Sequence, residues 1–164
     1  MAYYIKTIGI RDEKISIAQG RFPRMLLFHM CFKTDKGKIK SLKKGDKLVI
    51  YTVINGIKEF LSGGFIGTQV VLGKYYKNTQ LFKKPWHYIV DIQPEIYSLI
   101  RIIKLKEIKA WKGKSIKLKK ALRVGLLAKS GLLKIGKNDY KKFLVEFKKR
   151  TAVKAEDGPE SASP

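Results

Sequence analysis

The chain has 164 residues, 36 of them Lys or Arg and 13 Asp or Glu, for a formal charge of +23 at pH 7. Hydrophobic residues make up 45%, enough for one core, and no run of about 18 apolar residues exists that could span a bilayer as a helix. A single cysteine, Cys31, excludes an intramolecular disulfide, and with only His29 and His87 beside it neither a metal centre nor another cofactor is expected.

Self-repulsion at this charge is relieved by a polyanion, and the phosphate backbone is the commonest one, so nucleic acid, DNA or RNA, is the expected partner. A thermophile surface rich in lysine would carry glutamate alongside it for ion pairs; here glutamate is scarce. The N-terminus MAYYIKTIGI lacks the basic start, long apolar stretch and cleavage site of a signal peptide, so a cytoplasmic location with no membrane partner is expected.

In chain order, Tyr3–Ile8 predicts a strand, followed by a basic, helical stretch. The turn Lys44-Gly45 leads into 46–53, an apolar and β-branched run that predicts a buried strand. Asn55-Gly56 marks a hairpin into 57–61. A strand over 65–72 starts after Gly63-Gly64, and its internal Gly67 suggests a bulge or a close backbone approach. Residues 86–92 alternate and stop at Pro94, and 101–108 reads as a further strand. Residues 116–128 fit helix or strand equally, and 131–135 predicts a short strand.

Tyr140, Phe143, Leu144 and Phe147 recur at helical spacing, which predicts a helix from about Asn138, its N-cap, to Lys149, with Lys148, Lys149 and Arg150 suiting the negative end of its dipole. Residues 151–164 are small, acidic and proline-containing and read as a disordered tail, which leaves a domain over 1–150. Six or seven short strands with few helices, outside any βαβ order, favour an α+β fold built on a small barrel flanked by helices.

The order of motifs adds to this. Leu42-Lys43-Lys44-Gly45-Asp46-Lys47-Leu48-Val49-Ile50-Tyr51, then Phe65-Ile66-Gly67-Thr68, then Pro85-Trp86-His87-Tyr88-Ile89-Val90-Asp91-Ile92, and finally 131–135 with its amphipathic helix, resemble the EVE domain of the PUA-like superfamily, related to YTH domains, over roughly residues 2–147. The resemblance implies a PUA-like β pseudobarrel with flanking helices and a pocket that accepts a flipped, often modified base. The chain departs from the family's pattern over 16–24, where Ala18-Gln19 is not followed by the usual His-Gly-Lys.

A base pocket needs a flat π surface and polar groups for the base edge, because burying an unpaired edge is costly. Gln19, Arg21, Phe22, Phe65 and Trp86 are the candidates: Gln19 for the base edge, Arg21 for a flanking phosphate, Phe22 or Trp86 for stacking. For the nucleic-acid backbone the candidates are Arg24, Lys43, Lys44, Lys109, Lys112 and Lys114, with Trp111 as an aromatic among bases. Core packing is the competing role for the aromatics and plain surface polarity for Gln19 and Arg21. The clusters within 33–47, 104–120 and 141–150 supply most of the charge, and at least two are expected to merge into one patch.

Two other classes compete. A basic architectural protein would bind the backbone without any pocket. A nuclease would use Asp91 with Glu107-Ile108-Lys109 to hold Mg²⁺, which requires the two carboxylates to converge. Glu-x-Lys is common by chance among so many lysines, and the motifs of other enzyme classes are missing, so no enzymatic activity is expected.

Overall fold

The computed structural model describes residues 1–8, 24–52, 63–99, 101–123 and 131–156. Its strands are β1 (Tyr3–Ile8), β2 (His29–Phe32), β3 (Lys47–Thr52), β4 (Gly64–Val71), β5 (Tyr76–Lys77), β6 (Tyr88–Tyr97) and β7 (Leu132–Ile135). Its helices are α1 (Arg24–Leu27), α2 (Leu105–Lys109), α3 (Ile116–Ala121) and α4 (Lys137–Glu156), with a 3-10 turn over Gly37–Ser41. The strands form one curled mixed sheet in the order β2-β6-β4-β3-β1-β7, with β5 beside β6. Among the described residues no helix is long and apolar enough to cross a membrane.

Strand alternation divides the interior in two. Tyr4 and Ile8 of β1, Leu48 and Ile50 of β3, and Ile66 of β4 join one cluster with Met25, Leu26, Met30, Phe32 and Ile39. Ile5, Val49, Tyr51 and Phe65 point the other way, against Ile108, Leu118, Tyr140, Phe143 and Phe147 of the helices. β1, β3 and β4 therefore turn one face toward α1, β2 and the 3-10 turn and the other toward α2, α3 and α4. Lys38 Nζ donates to the Leu132 carbonyl at 3.4 Å, which ties the turn that follows β2 to β7, the strand at the far end of the sheet order.

The Gly-Asp turn before β3 is held by Asp46, fully buried, which accepts the N–H groups of Ala2 (2.9 Å) and Lys43 (3.1 Å) and so fixes the start of β1 beside β3. Gly67 is a close approach, as its sequence context suggested: a Cβ there would collide with the Ile96 carbonyl and the Tyr97 ring.

Several expectations need correction. β6 continues through Pro94 to Tyr97, because the register shifts between Thr68 and Gln69, leaving Glu95 as the extra residue of a bulge where a proline without N–H is tolerated. The strand expected over 101–108 is reduced to a single bridge, in which Ile103 and Phe65 exchange both backbone hydrogen bonds (2.8 and 2.9 Å). Beyond it the chain turns into α2, whose first turn is set by Glu107 accepting the Lys104 N–H at 2.7 Å. Trp86 lies in the turn before β6, not in the strand; its N–H bonds the Lys83 carbonyl. The short strands β2 and β5 were not anticipated, and the ambiguous 116–128 opens with α3.

Asn138 is not the N-cap of α4: Tyr140 N–H bonds the Gly136 carbonyl, and Asp139 Oδ2 accepts the Gly136 N–H at 2.7 Å, so Gly136 holds that place. The helix runs on to Glu156, past the point where the tail was expected to start, and 157–164 lie outside the described residues. So do the expected Asn55-Gly56 hairpin and 57–61.

Candidate functional site

β1 places Lys6 on the same face as Tyr4 and Ile8, so that its side chain enters the interior, where it is 1% exposed. Its Nζ lies 4.5 Å from the centroid of the Phe32 ring and 5.7 Å from that of Trp86. The ring quadrupoles attract the cation. Burial nevertheless dominates: it lowers the Lys6 pKa to about 8, with the Lys33 charge acting in the same direction and Cys31 opposing.

Trp86 is half-buried at the margin of this cluster. The exposed Lys33 reaches toward it from beyond β2, its Nζ 5.0 Å from the ring centroid. Phe32 and Lys33 also open a groove of about 270 Å³, whose other walls are Thr34, Lys36, Lys38, Ile39, Gly131 and Leu132. Apolar side chains thus form its inner wall, and three lysines offer charge to an anion. An aromatic edge, an apolar groove and convergent cations suit a planar ligand attached to phosphate.

The neighbouring α1 is fastened from the sheet. Gln69 Nε2 donates to the Met25 carbonyl (2.7 Å) and to Tyr97 Oη (2.8 Å), and Tyr97 Oη donates to the Leu26 carbonyl (2.6 Å). Burial raises the Tyr97 phenol far above its ordinary range, so it stays a donor at neutral pH. On the opposite face Glu95 is held by Lys47 (2.6 Å), Thr68 (3.1 Å) and Tyr140, contacts that outweigh its desolvation and lower its pKa.

A second basic region surrounds Trp111, between α2 and α3. Its ring packs edge-on against Phe143, centroids 4.9 Å apart, and Lys142 Nζ lies 5.0 Å from the ring. Lys114 Nζ donates to the carbonyls of Lys109 and Trp111, both at 2.6 Å, and Lys142 Nζ to that of Lys112 at 3.2 Å. The lysine clusters around 104–120 and 141–150 therefore meet at Trp111, which serves as an anchor to the core as well as a half-exposed surface.

Of the other residues singled out in the sequence, Phe65 is fully buried between Tyr51 and Phe143, each 4.9 Å away, and has no face to offer a ligand. Arg24 is exposed at the start of α1, and Lys43 and Lys44 are exposed in the turn before β3. Gln19, Arg21 and Phe22 lie outside the described residues, in the segment joining β1, which carries Lys6, to α1. Lys6 and Phe32 were missed, and Lys33, Lys36 and Lys38 were read only as part of the basic cluster within 33–47. The signal for Lys6 was a charged residue amid YYIKTI on the face of Tyr4 and Ile8.

Asp91 and Glu107 are committed to separate partners. Asp91 Oδ1 accepts from Tyr76 Oη (2.6 Å) and pairs with His29 Nδ1 (2.9 Å), while Glu107 pairs with Arg150 (2.8 Å) and the Lys104 N–H. Among the described residues no group of three or more His, Cys, Asp or Glu is arranged to hold a metal ion.

No family model and no curated protein sequence matches the chain. Solved structures do match it in shape. The DUF55 domain of human thymocyte nuclear protein 1 aligns over 90% of this chain and 99% of its own, with a TM-score of 0.55 at 15% identity. Human THYN1 protein in complex with 5-methylcytosine containing DNA aligns over 88% and 96%, TM-score 0.52, 14% identity. A protein from Pseudomonas putida aligns over 88% and 98%, TM-score 0.55, 11% identity. The curled sheet with its few helices is thus the PUA-like pseudobarrel seen in the DUF55 domain.

Proposed function

We propose that this chain is a nucleic-acid-binding module, not an enzyme, which accepts one flipped or unpaired base, modified bases included, beside Trp86 and holds the adjoining phosphates on its lysines. The observation that carries this reading is the half-buried Trp86 ring with Lys6 and Lys33 close to it, next to a lysine-rimmed groove. A base stacked on an aromatic ring and flanked by cations is the usual chemistry of such sites. The shared fold of the human protein solved with 5-methylcytosine DNA supports the same reading.

In this reading Gln19 and Phe22 contribute an amide and a second ring from the segment between β1 and α1, with Arg21 on a phosphate. Arg24, Lys43, Lys44 and the Lys109, Lys112 and Lys114 cluster around Trp111 bind the backbone without reading sequence.

The test is binding of single-stranded and duplex oligonucleotides, with and without 5-methylcytosine, to wild type and Trp86→Ala, with circular dichroism confirming that the variant is folded. Affinity should fall steeply with salt, by about 0.9 log unit per log unit of salt for every phosphate engaged on duplex DNA. Trp86→Ala should weaken binding roughly 5- to 150-fold, the range for loss of one stacked base. Equal binding by the folded variant, with no preference for the modified base, would leave only the basic surface. A wild type indifferent to salt would remove that as well.

A further inference from the structure

Phe28, the residue before β2, is 59% exposed. Around it the chain returns three times. Phe28 lends its carbonyl to Ile92 N–H (3.0 Å), its ring lies 6.2 Å from that of His29, and His29 pairs with Asp91. Asp91 in turn accepts from Tyr76 Oη, and its carbonyl accepts the Leu72 N–H at 2.9 Å. The result is a surface on which Phe28, Leu72 (43% exposed) and Tyr76 (37% exposed) face solvent around one hub.

Three exposed large apolar groups in one place are unusual for a chain this charged. The charges beside them are basic: Arg24, whose carbonyl receives the Phe28 N–H, and Lys74 and Lys77 on either side of Tyr76, all exposed. The one acid at the hub, Asp91, is engaged by His29 and Tyr76. A second copy of a +23 chain would be repelled here, whereas a polyanion with flat apolar groups is drawn to both features.

We propose that Phe28, with Tyr76 and Leu72, is a second stacking surface for single-stranded nucleic acid, which takes a base of the same strand whose other base sits at Trp86, while Arg24, Lys74 and Lys77 meet its phosphates. This rests on the nucleic-acid reading above. The two surfaces lie at opposite ends of β2: Phe28 and Phe32 are four residues apart, on the order of 13 Å along a strand. Known single-strand binders occupy about 4 nucleotides or more per module, so one short strand is long enough to reach both.

The experiment compares single strands of about 3 and about 10 nucleotides, one able to occupy a single surface and the other both, on wild type, Phe28→Ala, Phe28→Trp and Trp86→Ala. Phe28→Ala should bind the longer strand roughly 5-fold or more weakly while the shorter is unaffected, Phe28→Trp should restore binding, and Trp86→Ala should weaken both lengths. Truncating a side chain this exposed leaves the fold intact, which circular dichroism checks. If wild type binds and only Trp86→Ala matters, this inference fails and the reading of function stands; if wild type binds neither length, both fail. Sedimentation showing a wild-type dimer that Phe28→Ala dissociates would instead make the surface a contact between copies and overturn the proposal.

Discussion

Lys6 Nζ stands 4.5 Å from the centre of the Phe32 ring, a cation against an aromatic face inside the sheet. The folded-state pKa of about 8 lies below the ordinary 10.5, so between those values the unfolded chain holds a proton that the folded chain has released. Stability therefore rises with pH across that interval. Below pH 8 both states are protonated and the whole cost of burying the charge is present, on the order of 3 kcal/mol. Above about pH 10 the raised phenols of Tyr97 and Tyr140 act in the opposite direction, which confines the window to pH 8–10.

Lys6→Met should accordingly raise stability at pH 7 and flatten its rise between pH 8 and 10 in urea titrations. An unchanged slope would show that another group titrates there. The same variant should bind oligonucleotides more weakly, because it removes the cation beside Trp86.

Tyr97→Phe should loosen α1. The change leaves the buried Leu26 carbonyl without its donor and removes one of the two acceptors of Gln69 Nε2, at a cost of about 1–3 kcal/mol. Hydrogen exchange at the Phe28 amide, bonded to the Arg24 carbonyl, should accelerate more than at β3. Uniform acceleration would mean that α1 opens only with the whole fold.

Asp139→Ala should destabilise by at least about 2 kcal/mol, since a carboxylate accepting several hydrogen bonds is lost. Asp139 is 4% exposed and receives the Ser115 N–H (3.0 Å), the Ser115 hydroxyl and the Gly136 N–H (2.7 Å), which joins the start of α3 to the start of α4. Asp139→Asn keeps an acceptor and should lose less. Thermal unfolding of the two variants checks the order, and equal losses would point to charge, not hydrogen bonding, as the cause.

The central sheet was legible because its signals are local. The apolar run of β3, the Gly-Asp turn before it and the 3.6-residue recurrence of Tyr140, Phe143 and Phe147 each determine their own element. β2 and β5 were not, since four and two residues carry no periodicity and exist only through pairing with β6. The strand expected over 101–108 failed because the apolar residues of its second half, Leu105 and Ile108, stand three apart at helical spacing, and Glu107 supplies a helix-starting hydrogen bond. For the site, Trp86 could be named from its neighbours in the chain. Lys6 and Phe32 could not be brought to it, because β1, the end of β2 and the turn before β6 meet only in three dimensions.

The sheet also separates two kinds of constraint. Phe65, Phe143 and Phe147 interlock on one side, where a change of even a methylene is felt, while Lys6, Trp86 and the groove residues depend on the other. Substitutions more than about 7–10 Å apart with no shared partner combine additively, so each side tolerates change with little reference to the other. The surface on the Lys6 side can then change its shape and charge while the helical backing stays in place. Chains of 11 to 15% identity can keep one outline while their surfaces diverge.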